Sequence, residues 1–149
     1  MVPPFAHEPI DPMEHFRKLV HRMDILIRWG DMDAMGHVNN TVYFRYMEST
    51  RIEWLAGLGH GAGLVHDEGP VIINASCTFM IPFVYPGTVD SRLYIGRPGR
   101  SSLPTHHEMR LAGGDTIYAE GAAKIVWMNY RTGKSIALPD HVRAIAEGR

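Results

Sequence analysis

Two acids and a run of polar residues crowd one short stretch of the chain, Trp29-Gly30-Asp31-Met32-Asp33-Ala34-Met35-Gly36-His37-Val38-Asn39-Asn40. Carboxylates can serve as general bases or as nucleophiles, and His37 adds an imidazole. Asn39 and Asn40 suit the first position of a helix. A helix start leaves several backbone N–H groups unpaired, with partial positive charge. A carboxylate beside such donors suits hydrolysis of an ester or thioester. The donors hold the developing oxyanion, while the acid activates water or attacks directly. The stretch offers Asp33 as one such acid and the backbone N–H groups around Asn39 and Asn40 as the donors. Spacing alone leaves open that Asp33 only caps its own turn, and Asp31 reads as a turn residue. His37 reads first as a turn hydrogen-bonder and second as a base.

The flanking sequence predicts the elements that would position these groups. Residues 23–29 alternate weakly, as a strand does. From Asn39 or Asn40 onward, Tyr43, Tyr46, Met47, Thr50 and Trp54 share one helical face. Val42, Phe44, Ile52 and Leu55 widen the apolar area, so the helix should be heavily buried, and Gly57 and Gly59 should stop it. A glycine-rich connection follows over residues 60–69. Residues 70–81 read as a long strand with Val71, Ile73, Ala75, Cys77, Phe79 and Ile81 on one face. Strands follow over 88–95, 103–111 and 116–128, the last two joined by an Ala112-Gly113-Gly114-Asp115 hairpin turn. Residues 139–146 fit a short terminal helix. The order is β-α-β-β-β-β, an α+β arrangement of one long helix and an antiparallel meander.

Composition narrows the function classes. A chain of 149 residues with 45% hydrophobic and 21% charged residues fits one ordinary globular domain. A formal net charge of −1 argues against a general nucleic-acid binder. The single Cys77 excludes an internal disulfide and fits a reducing, cytoplasmic compartment. No apolar run approaches a membrane span, and the first residues lack the pattern of a signal peptide. Residues 1–21 are read as an N-terminal extension and residues 22–149 as the domain.

The stretch from Trp29 to Asn40, followed by Tyr43 and Glu48, resembles the opening signature of hotdog-fold acyl-CoA thioesterases, in particular the 4-hydroxybenzoyl-CoA thioesterase and YbgC-like groups. The resemblance covers about residues 22 to 140. It implies a five-stranded antiparallel sheet wrapped around one long central helix. It also implies a homodimer or homotetramer with active sites at the subunit interface, an acyl-CoA substrate and no cofactor. It assigns catalysis to Asp33 and polarisation of the thioester carbonyl to the N–H near Asn40. Asn39 and Tyr43 fall with the substrate-binding residues. There are departures. The YbgC-like group carries an aromatic residue and a His where this chain has Asn39 and Asn40. The run also resembles plant acyl-ACP thioesterases, whose Asp and His match Asp33 and His37 but whose Asn is replaced by Met35. A third hotdog group uses a helix Glu, and Glu48 stands at about that position. Glu48 could equally pair with Arg45 or Arg51 on the helix surface. An acyl-ACP thioesterase and a catalytically silent acyl-binding module on the same fold are the alternative functions.

Other candidate sites are fewer. Nine histidines suggest metal, but no His-x-x-x-His pattern is present and the adjacent His106 and His107 of a strand point to opposite faces. No metal is expected. Cys77 on an apolar strand face reads as a core residue. His60-Gly61-Ala62-Gly63 lacks the ending of a phosphate-binding loop. Arg100, Ser101 and Ser102 form a small basic, hydroxyl-rich turn, either simply solvated or in contact with CoA phosphates, for which Arg is well suited. The family places phosphate contacts in this connection.

Overall fold

The computed structural model describes residues 16–60 and 66–148. Most of the N-terminal extension and the middle of the glycine-rich connection lie outside the described residues. Strand β1 runs over Lys18–Ile27, followed by a 3-10 turn at Trp29–Asp31 and helix α1 at Asn40–Gly57. Then come β2 at Glu68–Phe79, β3 at Gly87–Ile95, β4 at Ser102–Leu111, β5 at Ile117–Asn129, β6 at Lys134–Ser135 and helix α2 at Asp140–Glu147. All pairings are antiparallel, in the order β1-β3-β4-β5-β2, with the two-residue β6 added on β5. The sheet therefore has six strands where five were expected, the sixth being too short to leave a periodic signal. This is the hotdog arrangement, with α1 lying against one face of the sheet.

Helix α1 is delimited by its sequence. Asn39 caps the start, its side-chain oxygen accepting from the Thr41 N–H at 2.9 Å. Gly59, at φ +88°, ends it: the Gly59 N–H donates to Ala56 O and the His60 N–H to Leu55 O. That pattern satisfies the last carbonyls and needs the left-handed conformation that glycine adopts freely. The buried face carries Tyr43, Tyr46, Met47, Thr50, Trp54 and Leu55, as the periodicity predicts, and also Arg51.

Two apolar clusters hold α1 on the sheet. One gathers Trp54, Leu55, Leu93, Ile95, Leu103, Ile125, Trp127 and Val142, with α2 packed against it. The other gathers Ile27, Val38, Tyr43, Tyr46, Met47, Phe83, Val89, Met109 and Ala119 around the helix start. Between them runs a polar layer. Thr50 and Ser91 share a 2.7 Å hydrogen bond, Thr105 donates to Ala123 O, and His107 is buried beside Arg51. Gly121 is required at the centre of β5, because a Cβ there would collide with Met47 Sδ and crowd Ser76 O.

Two expectations change. β1 starts at Lys18, well before residue 23 and inside the segment read as an extension. It is an edge strand whose side chains alternate between exposed and half-buried, so its charged residues hide the pattern. In β2 the register shifts between Ile72 and Asn74. The bulge divides the single face expected from Val71 to Ile81: Ile72 packs on one cluster and Cys77 on the other, while Ile73 is 54% exposed.

Candidate active site

The turn between β1 and α1 is held from both sides. The Asp33 N–H donates to His37 O at 2.8 Å, and the Val38 N–H donates to Phe83 O at 2.9 Å. Asp31 is tied to its surroundings: its Oδ2 accepts from the Arg28 N–H at 2.9 Å and from the buried Tyr46 hydroxyl at 2.7 Å, and its carbonyl accepts from the Asn39 N–H. That is the turn role expected of it. Asp33 is half-buried and uses only one oxygen locally, Oδ1 accepting from the Met35 N–H at 2.8 Å and, at 3.4 Å, from the His37 N–H. Its Oδ2 has no partner among the described residues.

The helix start supplies the second half of the site. Asn39 uses its side chain as cap, so its role is structural first. Asn40 is the first helical residue and is exposed, and its N–H has no acceptor among the described residues. Asp33, His37 and Asn40 line one cleft of about 280 Å³, walled by Tyr43, Phe79 and Met80. A second cleft of about 530 Å³ also reaches Asp33, between Trp29, Met32 and Tyr85. The rim is apolar: Trp29 is 78% and Met35 80% exposed, with Phe79, Met80, Val84 and Tyr85 nearby in the chain's exposed set. Exposed apolar side chains lining two clefts that share a carboxylate suit the binding of an apolar group.

Tyr43 contributes its ring and not its hydroxyl's acceptor capacity to this cleft. The hydroxyl accepts from the Phe83 N–H at 3.0 Å, and the ring stands edge-on to Phe79 at 4.8 Å between centroids. Burial is the main reason its acidity is weakened, with Cys77 and Asp33 adding to the effect. Burial also pushes the Cys77 thiol up to about 11, so it is an inert thiol at neutral pH.

The remaining sequence candidates fall elsewhere. Glu48 is exposed on the opposite face of α1 and pairs with Arg45 at 3.5 Å, about 12 Å along the helix from Asn40. Arg100 is exposed at the far end of the sheet. Its carbonyl accepts from the Leu138 N–H and from Arg143 Nη2, and Ser101 O accepts from the Trp127 N–H. Ser102 opens β4 opposite Val126. From that point to Ala119, beside the helix start, β5 extends about 23 Å. Within one subunit, Arg100, Ser101 and Ser102 are thus not brought to Asp33. Among the described residues no group of three or more His, Cys, Asp or Glu is arranged to hold a metal ion. Sequence reasoning missed Phe79 and Met80 as cleft walls and Tyr46 as the partner of Asp31. The first two were assigned to a strand and its end, and the third to the core.

The fold and this site together define a hotdog domain with a carboxylate at the start of its central helix. Residues 27–145 match the family described as the thioesterase-like superfamily, and the chain belongs to that family. Solved structures of similar chains agree. The PA2801 protein from Pseudomonas aeruginosa, a proposed thioesterase, is 41% identical with a TM-score of 0.83, covering 86% of this chain and 98% of that one. A proposed acyl-CoA thioesterase from Xanthomonas campestris is 32% identical with a TM-score of 0.68, covering 74% and 93%. The BH1999 gentisyl-coenzyme A thioesterase is 26% identical with a TM-score of 0.73, covering 82% and 98%. A proposed esterase from Aquifex aeolicus is 32% identical over 69 residues, 45% of this chain, which spans about half (54%) of that relative. No helix among the described residues is long and apolar enough to cross a membrane.

Proposed function

We propose that the protein is an acyl-CoA thioesterase, releasing a fatty or aromatic acid and free CoA. The observation that carries this reading is that Asp33 Oδ2 and the Asn40 N–H, both without a partner among the described residues, belong to residues lining one cleft with apolar walls. The acyl group lies against Phe79 and Met80. The thioester oxygen takes the Asn40 N–H, and that bond strengthens as charge develops on the oxygen. Asp33 then activates a water or attacks the carbonyl itself to form a mixed anhydride. In either case the carbonyl–sulfur bond breaks, and CoA leaves as the thiol once it takes up a proton. On the direct route a water then cleaves the anhydride, freeing the acid and restoring Asp33; heavy oxygen found in Asp33 after a single turnover in labelled water would exclude the pure general-base route. His37 is exposed at the cleft mouth and serves to orient water or substrate.

The CoA moiety is assigned to the turn at Arg100, Ser101 and Ser102 of a second subunit. β2 is a twelve-residue edge strand with Ile73 and Phe79 exposed, which is a pairing surface that calls for cover. An antiparallel partner on that edge, related by a two-fold axis, sets the far end of its sheet beside the Asp33 cleft. The partner subunit's Arg100 then lies on the side from which the nucleotide enters.

A thiol-release assay over a panel of acyl-CoAs tests the reading, with acyl-ACP as a second carrier. Turnover of at least one CoA ester, and a fall in kcat of at least ~100-fold in Asp33→Asn, are expected. Binding without turnover across the panel would instead make this a silent acyl-binding module.

A further inference from the structure

We propose that Tyr46 is a positioning residue for this reaction: its hydroxyl fixes Asp31, and Asp31 fixes the peptide that immediately precedes the candidate oxyanion donor. The proposal rests on the reading of Asp33 and Asn40 given above. Tyr46 is buried on the inner face of α1, nearly two turns beyond the helix start. Its hydroxyl donates to Asp31 Oδ2 at 2.7 Å, across 15 residues of sequence. The same oxygen accepts from the Arg28 N–H at 2.9 Å. The Asp31 carbonyl accepts from the Asn39 N–H at 2.9 Å. The next peptide N–H along the chain is that of Asn40. One tyrosine thus ties the strand exit, the acid-bearing turn and the helix start into a single unit.

Tyr43, three residues earlier on the same helix face, ties the other flank. Its hydroxyl accepts from the Phe83 N–H, and Phe83 O in turn accepts from the Val38 N–H at the end of the turn. Burial and the neighbouring Asp31 raise the Tyr46 hydroxyl well above its ordinary range, so it is a donor at every pH at which the enzyme could work. Without that donor, the Asp31 carboxylate keeps only its bond to the Arg28 N–H, and the Asp31 carbonyl that holds the Asn39 N–H, one peptide before the Asn40 donor, is less firmly placed. Oxyanion stabilisation depends on donor position to a fraction of an ångström, so the loss should fall on the rate of the chemical step and spare binding.

Steady-state kinetics of Tyr46→Phe, Asp31→Asn and Asp31→Ala test this, with kcat expressed per folded, active molecule. Tyr46→Phe should lower kcat about 10-fold and leave KM within twofold. Asp31→Asn keeps a carbonyl oxygen where both donors point and should stay within about threefold of wild type. Asp31→Ala should match Tyr46→Phe. The double variant Tyr46→Phe/Asp31→Ala should be no worse than Asp31→Ala alone, because both act through one link. A wild-type kcat in Tyr46→Phe, a loss traceable to melting, or additive losses in the double variant would overturn the proposal. Should Tyr46→Phe fail to fold, the contrast between Asp31→Asn and Asp31→Ala decides in its place. A fully active Asp33→Asn would instead overturn the site reading itself, which separates the two failures.

Discussion

His107 is the most sharply testable feature of the interior. It sits in the polar layer between the two apolar clusters, 1% exposed, with neither Nδ1 nor Nε2 hydrogen-bonded among the described residues. Burial is the main reason that its pKa is pushed down from 6.5 to about 3, with Arg51 from α1 and His106 beside it on β4 adding to the effect. The sign follows. Below about pH 6.5 the unfolded chain binds a proton at this position and the folded one does not, until about pH 3. Folding stability contributed here is therefore intact at neutral pH and is lost as the solution is acidified through that window. The slope approaches about 1.4 kcal/mol per pH unit. Between pH 6 and pH 4 the loss is roughly 2 to 3 kcal/mol, a large share of the ~5–15 kcal/mol that holds a domain together. His107→Met removes the titrating ring and fills the space with an unbranched apolar chain. Urea unfolding followed by the fluorescence of the buried Trp54 and Trp127 should give the variant a stability within about 1 kcal/mol of wild type at pH 7. Its acid loss should be shallower by roughly 2 to 3 kcal/mol at pH 4. Asp90, held low by Arg92 and Arg22 against the opposing effect of burial, and His60, held low by burial first, remain in both proteins and cancel in the comparison. Parallel stability curves for the two proteins would refute the argument and mean that His107 is protonated or solvated in the fold.

Three further outcomes are expected. Arg100→Ala should raise KM for an acyl-CoA with kcat nearly fixed, by an amount corresponding to about 1 kcal/mol that shrinks with added salt, and should leave a short thioester lacking the nucleotide unaffected. Gly121→Ala should destabilise the fold by about 1–3 kcal/mol in urea titration, because the new methyl group must displace Met47 from a closed part of the core. Light scattering at micromolar concentration should give at least a dimer, and a monomer with full activity would contradict a nucleotide site built from two subunits.

How much of this was legible in the sequence depends on the range of the interaction that makes each feature. α1 announced itself because its cap, its apolar face and its terminal Gly59 are all local. The Asp31 and Asp33 turn was legible for the same reason, since every bond Asp33 makes reaches no further than His37. The bulge at Ile73 was not, because Val71-Ile72-Ile73 is a continuous apolar run in which either register buries something. The charged first half of β1 was hidden by partners on other strands: Arg22 is satisfied by Asp90, 68 residues away. Arg100 and Asp33 looked combinable in sequence, yet the meander sends them to opposite ends of the sheet, and the two-subunit arrangement proposed above is what would reunite them.

The polar layer and the site share one further property. Thr50, Ser91, Thr105 and His107 occupy inward positions of their elements, where alternation alone would place apolar residues. They divide the core so that the cluster around Ile27, Val38, Tyr43, Tyr46 and Phe83 is nearly a core of its own. Each of those five residues lies within or beside a segment that positions Asp33 or the Asn40 N–H. The burial that stabilises this end of the molecule is therefore the same burial that sets the geometry of the candidate site. A cavity opened at Phe83, which is fully buried and stacks on Tyr118 at 4.9 Å, would act on both. It would remove about 3–5 kcal/mol of stability. It would also loosen the backbone at Phe83, whose N–H and carbonyl hold Tyr43 and Val38. A cavity of equal size in the α2 cluster, across the polar layer, would reach the site only by unfolding the chain. Equal losses of kcat per folded molecule from Phe83→Ala and Leu103→Ala would show that the polar layer does not separate the two clusters.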